Sequence, residues 1–182
     1  MTLNRKRKMI NWVVIGVLLI AVTYTIMTAK GGVQDHVVRI GQAAPEIEGV
    51  DINGREVKLS DYRGKGVVLH YWGSWCPSCV KEMPFIKQAY ESAMAGVEVL
   101  GVNMGDSKGT AHEFVTSHQL SFPVLMDPSG SAAEAYRIKG LPATVFITAQ
   151  GKVEQLYAGE FTSLDQITSI MKRIQPKKPD TQ

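Results

Sequence analysis

The sequence predicts an α/β domain with a mixed central sheet, carried behind a single N-terminal apolar helix. Three features point there. Short apolar runs alternate with helix-period segments from residue 66 to residue 174. Two alternating segments meet at Asn53-Gly54 just before them. No charged residue occurs from Met9 to Ala29.

That first segment is long enough to matter. At about 1.5 Å rise per residue, a helix over 9–29 spans roughly 30 Å, the thickness of a bilayer's hydrocarbon core. Trp12 and Tyr24 stand near its ends, where aromatic rings favour the membrane interface. Arg5, Lys6, Arg7 and Lys8 precede it and should stay cytoplasmic, which puts everything after Lys30 outside. A cleaved signal peptide is the rival, but Met27-Thr28-Ala29 is a poor small-x-small cleavage site, and no cysteine stands directly after the segment to carry a lipid. The expected organisation is a basic segment at 1–8, a transmembrane signal-anchor at 9–29, a linker at 30–36, one domain at 37–176 and a polar tail at 177–182. The four leading basic residues exceed the whole net charge of +3, so nothing in the remainder suggests nucleic-acid binding. An apolar fraction of 45% allows a full core.

The elements follow in order. Val50–Leu59 alternates about Asn53-Gly54 and reads as a β-hairpin with a tight turn. Ser60–Lys65 reads as one helical turn or loop. Gly66–Trp72 is apolar on both faces, as a central strand covered on both sides should be. A helix begins at the cysteines and continues over Val80–Ala95, with Pro84 expected to kink it and Phe85, Ile86, Ala89 and Tyr90 on its buried side. Val97–Val102 is a strand, and Asp106–His118 a helix with Ala111, Phe114 and Val115 facing in. Phe122–Met126 is a short strand and Ser129–Arg137 a short helix. Thr144–Thr148 and Val153–Tyr157 flank a turn at Gln150-Gly151. The last helix starts at Ser163 with Gln166 three residues on, the pattern of a capping box. It then repeats Leu164, Ile167, Ile170 and Ile174 at helical spacing.

The chemistry is concentrated in Trp72-Gly73-Ser74-Trp75-Cys76-Pro77-Ser78-Cys79, which holds both cysteines of the chain. Strand, turn, Cys-x-x-Cys and helix form the layout of a thiol–disulfide redox site. Cys76 lies where the helix begins, so unpaired N–H groups and the positive dipole end favour its thiolate. Cys79 lies one turn inside, able to close a disulfide and poorly placed to reach an outside substrate. Pro77 fits the first helical turn, where its missing N–H costs little. A purely structural crosslink across two residues would remove very little unfolded-state entropy. A zinc site would need two further ligands, and His36, His70, His112 and His118 show no paired spacing. Outside the membrane such a pair meets an oxidising space, and keeping it reduced needs electrons from across the membrane.

Val67–Pro84 together with Gly140-Leu141-Pro142-Ala143-Thr144 resembles the thioredoxin superfamily. Ile40–Gly64, the anchor, the Trp-Gly-Ser-Trp-Cys run and Glu82 resemble its redoxin branch, the TlpA/ResA-like membrane-anchored extracytoplasmic thiol–disulfide oxidoreductases. The resemblance spans roughly residues 35–175. It implies a thioredoxin-like fold with an N-terminal β-hairpin extension, Cys76 as attacking thiol, Cys79 as resolving thiol, and Pro142 as a cis-proline beside them. Trp75, Pro77, Leu141 and Pro142 are implied to border the substrate. Glu82 follows Cys79 by three residues on one helix face, and a buried carboxyl there can take and return the resolving thiol's proton.

The resemblance also implies partners. The substrates are protein disulfides, in particular the haem-binding cysteines of apocytochrome c, and the electron donor is a CcdA-like membrane protein. It implies no metal, flavin or haem. Oxidation of exported proteins or a sporulation role would use the same residues. A thiol peroxidase places its cysteine in a different motif, and a Sco-like copper carrier spaces its cysteines three apart and adds a histidine. Two positions depart from the pattern. ResA-like proteins carry a glutamate between the cysteines where this chain has Pro77-Ser78, which retunes the redox poise. Thioredoxins carry a buried acid six residues before the first cysteine, where this chain has His70. That residue is expected to be a core histidine with its hydrogen bonds met. His112 and His118 are expected on a solvated helix face.

Overall fold

The computed structural model describes residues 3–29 and 38–177, with the side chains of the first segment described from Asn11 to Thr25. The expected linker and most of the polar tail, and the side chains of the basic cluster, lie outside the described residues. The chain divides into two compact units, residues 1–35 and 36–182. The first contains α1 (Leu3–Ala29), one helix of 27 residues. Its described side chains cover a window shorter than the roughly 20 residues of a full span. Among the described residues, no helix is long and apolar enough to cross a membrane.

The second unit is built as the sequence pattern requires. The hairpin is β1 (Glu48–Asp51) and β2 (Glu56–Lys58), antiparallel, with Glu48 opposite Lys58. Its turn is closed by Asp51, whose Oδ1 accepts the Asn53 and Arg55 amides at 2.8 Å. Gly54 there has φ +88°, a conformation that favours glycine. A 3₁₀ turn (Leu59–Tyr62) leads to β3 (Gly66–Trp72), buried at every position. Then come α2 (Pro77–Glu91), β4 (Val97–Met104), α3 (Lys108–Ser117), β5 (Val124–Asp127) and α4 (Ser131–Ala135). The chain ends in β6 (Ala143–Ile147), β7 (Val153–Ala158) and α5 (Leu164–Ile174). The seven strands lie in the order β2-β1-β5-β4-β3-β6-β7. β3 runs parallel to β4 and antiparallel to β6, so the sheet is mixed, as expected.

The period-two rule sorts β3 cleanly. Val67, Leu69 and Tyr71 join a core with Leu100, Val102, Val145 and Tyr136 on one face. Val68 and Trp72 join the other core, with Met83 and Ile86 of α2, Phe114 of α3 and Ile167 and Ile170 of α5. His70 shares that second face, and so does Thr144, its partner across β3–β6.

Several boundaries differ from the sequence reading. α2 stops at Glu91 rather than Ala95, because Ala93 (φ +48°) and Gly96 (φ +73°) turn the chain out of the helix. Pro84 sits inside α2, which continues past it. α4 is shortened to Ser131–Ala135 between Gly130 (φ +74°) and Arg137 (φ +53°). The expected capping box at Ser163 does not form. Ser163 is the N-cap but its side chain caps nothing, because Gln166 reaches one residue further back and accepts the Thr162 amide at 2.9 Å.

Candidate active site

β3 ends at Trp72 in the middle of the sheet, and the chain turns through Gly73–Trp75 directly into α2. This turn is tied down from the neighbouring strand. Asp106, just beyond β4, accepts the Ser74 amide at 2.9 Å and its hydroxyl at 2.7 Å, and also the Asn103 side-chain amide at 2.7 Å. Trp75 donates from Nε1 to the Met104 carbonyl at 3.0 Å, yet the residue stays 62% exposed. Its indole lies over Gly73, where a Cβ would come within 2.6 Å of the ring nitrogen. The side chain expected at the rim is therefore held flat against the loop and presented to solvent. Gly73→Ala is expected to lift this indole and to lower the rate with a protein disulfide several-fold, while the rate with dithiothreitol stays near the parent's. Parallel assays with the two substrates check this.

Cys76 and Cys79 form a disulfide with Cα atoms 5.3 Å apart. Cys76 is the N-cap of α2 and Pro77 its first residue, as read from the sequence. The Cys79 amide donates to Cys76 Sγ at 3.3 Å, and Ser78 Oγ lies 3.5 Å from the same sulfur. An amide of the first helical turn aimed at this sulfur favours its thiolate once the disulfide opens. The two cysteines differ in access: Cys76 is 5% exposed and Cys79 fully buried. Pro77 is exposed beside them.

The Leu141–Pro142 peptide bond is cis. Ala143 pairs with Tyr71, so Pro142 stands just before β6, alongside the end of β3 that leads to the cysteines. Pro142 is buried and its carbonyl accepts the Gly159 amide at 3.0 Å. Leu141 is partly buried against the core that contains both cysteines.

Glu82 is not a solvated helix glutamate. It is fully buried on the same side of α2 as Cys79. Its Oε2 accepts the Phe161 amide at 2.5 Å. Burial pushes its pKa up to about 8; the Phe161 N–H opposes this and the Glu160 charge adds to it. Its other oxygen, Oε1, lies 3.6 Å from His70 Nε2. Neither atom has a hydrogen-bond partner among the described residues. His70 Nδ1 lies 3.1 Å from the Thr144 hydroxyl, and burial holds the ring's pKa down to about 3. With both groups neutral at pH 7, the contact is not an ion pair.

The expectation that His70 is fully satisfied in the core is thus half right, since one of its nitrogens faces the glutamate. Sequence reasoning missed this pairing, although two clues were present. His70 shares a face of β3 with Trp72, and Glu82 lies three residues from Cys79, so both point into the same layer. Asp106 was missed as well; its signal was a glycine-acid pair directly after an apolar strand. His112 and His118 are exposed on α3 and its cap, as expected. Among the described residues no group of His, Cys, Asp or Glu could hold a metal ion.

The AhpC/TSA family model matches residues 40–156. The thiol–disulfide oxidoreductase ResA of Geobacillus kaustophilus is 37% identical over 163 residues, covering 89% of this chain and 93% of that protein. ResA of Bacillus subtilis (strain 168) is 36% identical over 174 residues, covering 95% and 96%. The chain belongs to the AhpC/TSA family and is a ResA-like thiol–disulfide oxidoreductase. Among solved structures, a secreted disulfide oxidoreductase of Mycobacterium tuberculosis superposes with a TM-score of 0.65 at 25% identity, over 70% of this chain and 95% of that one. The redox-active pair of this ResA-like enzyme is Cys76–Cys79, and its fold is thioredoxin-like.

Proposed function

We propose that the enzyme reduces protein disulfides on the outer face of the cell membrane, and that its clients are the haem-binding cysteines of apocytochrome c. The observation that carries this reading is the buried Glu82 beside the fully buried Cys79. That arrangement equips the resolving thiol, the one that must lose a proton for reduction to finish. Likeness to ResA over nearly the whole chain supports it.

In the reductive direction the Cys76 thiolate attacks a client disulfide, forming a mixed disulfide and releasing one client thiolate. Ionised Glu82 takes the proton of Cys79. The Cys79 thiolate then attacks Cys76 Sγ, closing Cys76–Cys79 and expelling the second client thiolate, which takes up the proton. One disulfide is lost and one is gained, so electrons balance. Trp75, Pro77, Leu141 and cis-Pro142 would border the client strand as it meets the cysteines. Restoring the dithiol takes two electrons from a CcdA-like membrane donor. The N-terminal helix anchors the domain: its apolar side chains are exposed all round, including Trp12 (74%), Ile20 (70%) and Tyr24 (71%), which suits lipid.

The reduction potential of the Cys76–Cys79 pair tests the direction. A value near or below about −270 mV, as in thioredoxin, is expected, together with reduction of an oxidised apocytochrome bearing C-x-x-C-H. A value near about −120 mV would make the protein a disulfide donor instead.

A further inference from the structure

Two buried polar atoms without hydrogen-bond partners among the described residues face each other across 3.6 Å, on residues from different elements. If His70 Nε2 were a bare acceptor, the protonated Glu82 carboxyl would bond to it, and the two atoms would stand near 2.8 Å. The carboxyl proton belongs on Oε1, because Oε2 already accepts the Phe161 amide. A gap of 3.6 Å leaves the two atoms unbonded and fits an Oε1–H opposite an Nε2–H, two donors that cannot pair. The rest of the ring agrees. A neutral imidazole carries one N–H, and the Thr144 hydroxyl beside Nδ1 can serve as donor, leaving the hydrogen on Nε2.

We infer that His70 is a positioning residue for Glu82: held by Thr144 in the Nε2–H form, it closes on Oε1 as a hydrogen-bond donor when Glu82 ionises. The buried carboxylate then has a donor on each oxygen, the Phe161 amide on Oε2 and the His70 ring on Oε1. This makes the ionised base accessible in a layer that otherwise opposes charge. The inference rests on the reading of Glu82 as the base for Cys79. The other titratable or charged groups facing the pair are Cys79 on α2 and Glu160 ahead of α5. β6 contributes the neutral Thr144 hydroxyl, and the buried side chains of α5 are all apolar.

The test uses the full-length protein in detergent micelles. In the parent, ¹⁵N spectra of the histidine rings, with His70 assigned by its loss in His70→Gln, should show the Nε2–H form across pH 5–9. An Nδ1–H form would overturn the inference, and this measurement depends on no variant folding. Side-chain ¹³C titration of Glu82, assigned by its loss in Glu82→Gln, gives the second arm. His70→Leu should raise its midpoint by about one pH unit, a tenfold rise in proton affinity. His70→Gln, which keeps an N–H near the Nε2 position, should restore most of that shift, whereas His70→Asn should not. An unchanged or lowered midpoint in His70→Leu would overturn it. The pH profile of mixed-disulfide resolution separates the two readings. If the carboxyl midpoint moves and the rate profile does not, His70 still positions Glu82, but Glu82 is not the base.

Discussion

Cys79→Ser is expected to attack a client once and stop. Cys76 keeps its place at the helix N-cap, with the first-turn amide still aimed at its sulfur. It therefore opens the client disulfide, but the buried position that should complete the exchange carries a hydroxyl. Mass spectrometry under non-reducing conditions should show a one-to-one mixed disulfide through Cys76, with turnover reduced by at least about a thousandfold. Cys76→Ser should form no adduct, because Cys79 is fully buried. Neither variant should unfold the domain, since a crosslink enclosing two residues contributes little to stability. Normal turnover of a protein disulfide by Cys79→Ser would sink the two-cysteine mechanism.

The second large effect is on stability against pH, and it comes from the buried Glu82 and His70. Glu82 moves from an ordinary 4.5 up to about 8 on folding. Between those values the folded state holds the proton more tightly, so stability falls as pH rises through that range. His70 moves from 6.5 down to about 3. There the unfolded state holds the proton more tightly, so stability falls as pH drops from 6.5 towards 3. Between pH 4.5 and 6.5 the two slopes oppose each other and nearly cancel. The oxidised protein should thus show a plateau there, with losses of up to about 1.4 kcal/mol per pH unit on either side. On the acid side Asp51 adds to the loss. Burial works against its charge, but the Arg55 and Asn53 amides and the Arg55 guanidinium hold its carboxyl below the ordinary value. Glu82→Gln should remove the loss between pH 6.5 and 8 and, with nothing left to offset His70, turn the plateau into a slope that carries the acid-side loss up to pH 6.5. Urea unfolding across pH 3–9 measures both curves. Persistence of the alkaline slope in Glu82→Gln would refute this assignment. In activity, the same variant should slow resolution about a hundredfold.

These residues also mark what the sequence made legible. Every strand and helix of the domain was readable, because hydrophobic patterning is a local signal: α5 repeats its apolar residues at helical spacing, and β3 is a short run that is apolar on both faces. The redox pair was readable for the same reason, both cysteines lying in one turn of helix. The helix ends were less so. Ala93 and Arg137 adopt positive φ without being glycine, which no residue type announces. The contacts of His70 and Asp106 bring together positions 12 and 32 residues apart in the chain, through the sheet order and the packing of α2. A one-dimensional pattern shows which way such residues face. It does not show what they meet.

The N-terminal hairpin has a consequence for an enzyme that acts on protein disulfides. Without it, β5 would be the outermost strand on its side, offering open backbone groups to any extended polypeptide drawn to the cysteines. Instead β1 pairs with β5 through Val50 and Asp51, and the outermost strand becomes β2, three residues long with Glu56 and Lys58 exposed. A short, charged border is a poor template for strand addition. The hairpin thus works as a guard rail: it lets a protein disulfide reach the cysteines without its chain being captured at the side of the sheet.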